Sequence, residues 1–335
     1  MTAEANGKPK FAMYWAAACG GCEIAVLNID EKILDVDANF DVVFWPVAMD
    51  AKYKDVEAMP DGSITLTLFN GGIRNEENEE IAHLLRRKSK ILVAFGSCAC
   101  EGCIPALANL SSPREIFDTV YGTISTDNPN GVRPQYTYPA PEGDIHIPAF
   151  YPVLQTLDQV VPVDYYMPGC PPESHQIAAV VDLVIKALHG EATLPPPGST
   201  IGAGGSTVCD ECPRARNVKT IKKFVRIQDV RADPSLCLLE QGIPCNGLAT
   251  RSGCGALCPQ AGAQCIGCYG PAEGVIDYGA RLITAFASVI DSKDPVEIER
   301  ILDGIPDPAG QFYRFNLAKS LLRAAKPAWA TISEQ

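Results

Sequence analysis

Through its first half the chain alternates short, nearly unbroken apolar runs with amphipathic stretches. Residues 11–17 (FAMYWAA), 41–49 (DVVFWPVAM), 64–72 (ITLTLFNGG) and 90–98 (KILVAFGSC) have the length and composition of strands. The last is almost continuously apolar, as a strand buried on both faces of a parallel sheet must be. VDYYMPGCPPES (163–174) gives a further strand and its loop. Helical patterning predicts one helix from about Ile24 to Leu34. A second runs from an acidic start at Asn75 to Glu80 to a basic end at Arg86 to Lys88, a polarity that suits the helix dipole. Over 174–189 the residues Ile177, Val180, Val181, Val184 and Leu188 fall on one helical face. Strand and helix in alternation predict an α/β domain with a doubly wound, flavodoxin-like parallel sheet.

The pattern then changes. Residues 121–150 are rich in Pro, Gly, Tyr and Asp and read as a long surface excursion. ATLPPPGSTIGAGGSTV (192–208) reads as a linker, which divides the chain into domains at 1–191 and 209–335. The second ends in two apolar-periodic helical segments, about 275–291 and 295–303, with a third helix expected in RFNLAKSLLRAAKPAW. Arg214, Arg216, Lys219, Lys222, Lys223 and Arg226 fall at helical spacing, as a cationic stripe that is either a solvated face or a docking surface.

Composition narrows the function. A net charge of −12 argues against nucleic acid or an anionic membrane as partner. No apolar run approaches the roughly 20 residues of a spanning helix. The N-terminal stretch shows neither a secretory apolar core with a cleavage site nor a twin-arginine motif, so a cytoplasmic location is expected. In that reducing compartment fourteen cysteines point to metal or redox work rather than disulfides.

Eight of them fall within Cys209–Cys268: Cys209, Cys212, Cys237, Cys245, Cys254, Cys258, Cys265 and Cys268. Two C-x2-C pairs bracket the segment, and a C-x2-C turn aims two thiolates at one site. Eight donors divide into two sets of four, enough for two zinc ions or two iron–sulfur clusters. The gaps are irregular for a zinc ribbon, and Cys258-Pro259 has the form of a ferredoxin-type cluster loop. Cys19 and Cys22 follow the first strand, Cys98 the fourth and Cys170 the last. Loops at the carboxyl ends of parallel strands converge, so these four are expected to meet as a third centre. His83, His146, His175 and His189 match no ligand spacing.

CGGCE (19–23), GSC (96–98), PGCPP (168–172) and the eight-cysteine segment, taken together, resemble the small subunit of nickel–iron hydrogenases, across about residues 9 to 275. The nearest group is the cytoplasmic, non-deazaflavin-reducing one linked to heterodisulfide reductase. The resemblance implies a flavodoxin-like domain with a proximal 4Fe–4S cluster on Cys19, Cys22, Cys98 and Cys170. It implies a smaller ferredoxin-like iron–sulfur domain with a distal cluster on Cys209, Cys212, Cys237 and Cys245. Cys254, Cys258, Cys265 and Cys268 fall to a medial cluster, with a ligand swap between the last two sites left open. The nickel–iron centre belongs to a separate large subunit, and electrons pass on to an acceptor subunit. Glu23 is either a helix-start carboxylate or part of a proton route toward the large subunit. Cys100 and Cys103 are surplus thiols beside the proximal ligands. Two other readings stand: a relay whose partner lacks a working nickel site, and a zinc-bound structural protein.

Overall fold

The computed structural model describes residues 7–218 and 220–322. Its first layer is built from β1 (Lys10–Trp15), α1 (Gly21–Leu27), α2 (Ile33–Asn39), β2 (Asp41–Phe44), α3 (Tyr53–Glu57) and β3 (Ile64–Asn70). The short β4 (Ile73–Asn75) leads into α4 (Glu76–Lys88), β5 (Ser89–Phe95), α5 (Gly96–Glu101) and α6 (Pro113–Gly122). Two strands, β6 (Thr137–Ala140) and β7 (Gly143–His146), form an exposed hairpin before β8 (Phe150–Gln155), β9 (Tyr165–Met167) and α7 (Ser174–Leu188). Five strands make one parallel sheet in the order β2-β1-β3-β5-β9. That is the flavodoxin-like order, with the switch point between β1 and β3. One face buries Phe11, Met13, Val93, Phe95 and Met167 against α1, α2 and α7; the other buries Tyr14, Phe69, Leu92 and Leu85 of α4.

The described cysteine-rich part is held by short turns, α8 (Val208–Glu211) and α9 (Leu257–Gln260), and by single bridges such as Thr207 to Arg251 and Ala215 to Leu236. Three helices follow: α10 (Tyr278–Val289), α11 (Pro295–Leu302) and α12 (Pro308–Tyr313). Their apolar sides close a third core around Leu282, Phe286, Ile301 and Phe312, which also takes in Ala106 and Leu154 from the first half. The 192–208 stretch runs along the edge of the sheet. Gly198 donates to Asp164 O, Ile201 to Tyr166 O, and Tyr166 to Ser199 O. It then pairs with the cysteine-rich part through Gly204 N to Ser252 O and Val208 N to Thr250 O.

Several local expectations change. The helix expected over 24–34 is two helices, α1 and α2, separated by a single tight turn at Asp30–Lys32. The strand expected over 41–49 ends at Phe44, since Pro46 follows and the chain turns, with Ala48 N bonded to Trp45 O. Cys98 sits inside α5 rather than on a loop. The cationic stripe is not a helix among its described residues. Ala215 and Ile221 pair with Leu236 and Ile290, and Arg214 is buried, donating to the carbonyls of Pro259, Asp233 and Leu236. Lys219 lies outside the described residues, as do residues 323–329 of the expected third helix. Residues 314–322 give only a tight turn at Leu317–Lys319.

Leu92 is fully buried on β5, between β3 and β9 in the sheet. Leu92→Ala should cost about 2–5 kcal/mol through lost contact and a residual cavity. The check is a denaturation midpoint on anaerobic protein; a change under about 1 kcal/mol would contradict the packing described.

Candidate metal centre

The first cysteine set is assembled at the carboxyl end of the sheet. Cys19 follows β1 and is exposed; Gly21 N, two residues on, donates to its Sγ at 3.4 Å. Cys22 lies in α1 and is buried. Gly20, at φ 80°, caps that helix, so the chain can leave β1 and point both thiols the same way. Cys98 lies in α5, and Cys170 follows β9. Ser97 N donates to Gly169 O at 2.8 Å, and Gly169 N donates to Ser97 Oγ at 3.1 Å. Those two bonds lash the Cys98 helix to the Cys170 loop. Burial pushes the Cys22 thiol far above the ordinary range, and the neighbouring Cys170 and Cys19 push it further.

Cys100 turns back into the core, where its thiol meets Ala94 O at 3.2 Å. Cys103 stays with the set. Its Sγ lies 3.6 Å from Sγ of Cys170, it packs with Cys98 on Phe315, and its φ of 51° is strained for a side chain other than glycine.

Cys209, Cys212, Cys237 and Cys245 line a single small cavity with Arg216, Leu238 and Gly247. Burial raises the Cys209 thiol to about 12, helped by Cys245 and Cys237 and opposed by Arg216. Cys258 lies in α9, and Cys254 just ahead of it. Burial raises the Cys254 thiol, while the amides of Ala256 and Leu257 oppose it. Cys268 is raised to about 12 by burial, then by Cys254, Cys258 and Cys170. Cys265 is the junction: its amide donates to Cys245 Sγ at 3.3 Å, and its thiol neighbours Cys245 and Cys268. A line of sulfur neighbours therefore runs from Cys170 to Cys268, and from Cys265 to Cys245.

The donor set fits clusters. All fourteen cysteines are free thiols. Backbone amides point at the sulfurs of Cys19 and Cys245, and glycines leave room where side chains would not fit. A Cβ on Gly96 would lie 2.3 Å from Cys22 Sγ. Among the described residues, no three His, Cys, Asp or Glu side chains sit close enough to hold a single metal ion. A zinc ion would need four sulfurs drawn in to about 2.3 Å.

Glu23 is the acid in the first turn of α1, as one sequence reading has it, and it is also buried: it is 2% exposed and accepts a 2.5 Å bond from Trp45 Nε1. Burial raises its carboxyl above the usual range, against Trp45 and Asn70. Trp45 follows β2, so its approach to Glu23 depends on the sheet and could not be seen from local pattern. His83, His146 and His189 pair with Glu79, Thr137 and Asn39. The sequence reading also missed Tyr269. Its hydroxyl accepts from Glu173 N and donates to Gln176, whose amide donates to Gly253 O at 2.6 Å. Its position directly after Cys268 is the only local signal.

Gly96→Ala puts a Cβ at φ 80° and against Cys22 Sγ. It should cost about 1–3 kcal/mol in stability and lower the metal content. A variant with wild-type melting and full iron would show that this cradle is not needed.

The chain matches the family described as NADH ubiquinone oxidoreductase, 20 Kd subunit, over residues 19–184. It is 39% identical to the iron–sulfur subunit of the F420-non-reducing hydrogenase of Archaeoglobus profundus, over 93% of this chain and 97% of that one. It is 37% identical to a vhu subunit of the F420-non-reducing hydrogenase of Methanocaldococcus jannaschii, over 95% and 98%. The fold matches a chain of the NiFeSe hydrogenase of Desulfovibrio vulgaris Hildenborough with a TM-score of 0.50 at 18% identity, over 80% of this chain and 95% of that one. With the parallel sheet and the cysteine-rich part in place, the chain belongs to the small-subunit family of the nickel–iron hydrogenases, in the group found in F420-non-reducing hydrogenases.

Proposed function

We propose that this chain is the electron relay of a hydrogenase, with three 4Fe–4S clusters in line. The proximal one is held by Cys19, Cys22, Cys98 and Cys170, the medial one by Cys254, Cys258, Cys265 and Cys268, and the distal one by Cys209, Cys212, Cys237 and Cys245. What supports this reading is that Cys170 and Cys268 pack against the same small cluster as Cys98 and Cys103, and that Cys265 N donates to Cys245 Sγ at 3.3 Å, so the proposed sets adjoin one another. Bound clusters would supply one-electron transfer between the hydrogen-splitting centre of a large subunit and an acceptor. Each H2 oxidised there gives two electrons and two protons.

The chain's own residues do the rest. Amide donors to sulfur tune the potential. Cys19 is exposed among Trp15, Ile24 and Leu27, large apolar side chains that are themselves exposed on the end of β1 and on α1. That face suits the large subunit. Glu23, buried behind it, could hold a proton without opening a path to solvent. The free thiols favour work in the reducing cytoplasm, and no helix among the described residues is long and apolar enough to cross a membrane.

Anaerobically purified chain should hold about twelve irons and twelve acid-labile sulfides. Cys170→Ala should lose about four of each, while the remaining two clusters stay visible in the electron paramagnetic resonance spectrum. Stoichiometric zinc, or about four irons in the unaltered chain, would sink the three-cluster reading.

Cys103→Gly relieves the positive φ and removes a thiol that the four proximal ligands do not need. It should keep full iron and hydrogen-dependent activity without oxygen, and change only the recovery after exposure to air. Iron lost under strict anaerobiosis would make Cys103 a ligand.

A further inference from the structure

The acidic chain concentrates positive charge in one place. Residues 213–231 carry seven Lys and Arg against a single acid, Asp229, although the whole chain is at −12. Arg214 is used internally, and Lys219 lies outside the described residues. Arg216, Lys222, Lys223, Arg226 and Arg231 are exposed and have no ion pair among the described residues. This segment borders the distal cysteines directly. Ala215 pairs with Leu236, Cys237 N donates to Ala215 O at 2.8 Å, and Arg216 lines the cavity of Cys209, Cys212, Cys237 and Cys245. Arg226 also lines an open cavity of about 230 Å3 with Arg314, Gln228, Gln264 and Asp307, beside Pro244, the neighbour of Cys245.

We infer that this strip is the docking surface for the electron acceptor, and that the acceptor presents an acidic face. The inference rests on the relay function proposed above, since it takes the distal cysteines as the exit. Two facts point to that occupant. The positive strip lies on the exit site, and most of the remaining surface of this chain repels an acidic partner. Opposite charge at the contact would raise the encounter rate and fix the orientation, and it would fade with salt. The open cavity lined by Arg226 and Arg314, with Gln228, Gln264 and the single carboxylate of Asp307, adds cationic and amide groups beside the strip. Electron delivery then needs no movement of this chain: a one-electron acceptor seated on the strip faces the distal cysteines through Arg216.

The test uses the native complex purified with its acceptor chain, comparing wild type with Lys222→Glu/Lys223→Glu/Arg231→Glu; Arg216 is left intact because it lines the cysteine cavity. Two electrons from each H2 reduce two methyl viologens, and this dye is the probe. The triple variant should keep hydrogen-dependent methyl viologen reduction within about twofold of wild type. It should also lose the acceptor chain on purification. The matching Lys→Gln and Arg→Gln triple should give an intermediate effect, which guards against misfolding in the charge-reversed form. An acceptor still bound with unchanged salt dependence would overturn the inference. So would loss of the large subunit instead, or loss only of a bound nucleic acid. Failure of even the wild-type complex to reduce methyl viologen with H2 would instead bring down the relay function, and this inference with it.

Discussion

The constraint that runs through this molecule is the withdrawal of thiols from water: Cys22, Cys98 and Cys265 are buried, and seven more of the site cysteines are half-buried. A buried thiol resists losing its proton, and burial is the dominant cause of the raised values at Cys22, Cys209, Cys245, Cys254, Cys265 and Cys268. A cluster binds thiolate, so the cost of burial has to be met by iron and by amide donors. Both are arranged locally: short turns bring backbone N–H groups to sulfur, and glycines at 21, 96 and 247 clear the space. A metal bound there would add to the folding energy of the cysteine-rich part, which has little regular structure of its own.

That same dependence explains which features the sequence made legible. The sheet was readable because β3 and β5 are central and nearly continuous in apolar residues, and because α7 places Ile177, Val184 and Leu188 on one side. The C-x2-C pairs were readable because their spacing is itself the geometry. Features that depend on contacts across the fold were not. Arg214 has the spacing of a helical stripe, yet three carbonyls from distant loops turn its guanidinium inward. Glu23 reads as a helix-start acid and is one, but its burial under Trp45 depends on chain beyond β2. Cys98 reads as following a strand over 90–98, whereas β5 ends at Phe95 and Gly96, at positive φ, starts α5 directly.

The two halves are joined by polar bonds as well as by apolar packing. Ser97 Oγ donates to Cys268 O, and Tyr269 bridges Glu173 and Gln176. Ser97 adjoins Cys98, and Tyr269 adjoins Cys268, so each bond fixes a cysteine of one proposed set relative to the next. Electron transfer rates fall steeply with distance, and a relay built from separately moving parts would work unevenly. Here neighbouring sets are tied by Ser97 on one side and by Tyr269 with Gln176 on the other, and Gln176 is held in turn by Gly253 O.

The edge strand β9 carries a consequence for biosynthesis. It is three residues long, and it is covered on its open side by residues 198–201. Cys170 lies in the loop just beyond its end, which is tied back to Ser97, so its setting draws on chain from both sides of the strand. Cys19 and Cys22 leave the ribosome far earlier, and they wait as reduced thiols while most of the sheet is still being made. The order of synthesis thus leaves the first site incomplete until β9 and the chain after it have joined the sheet.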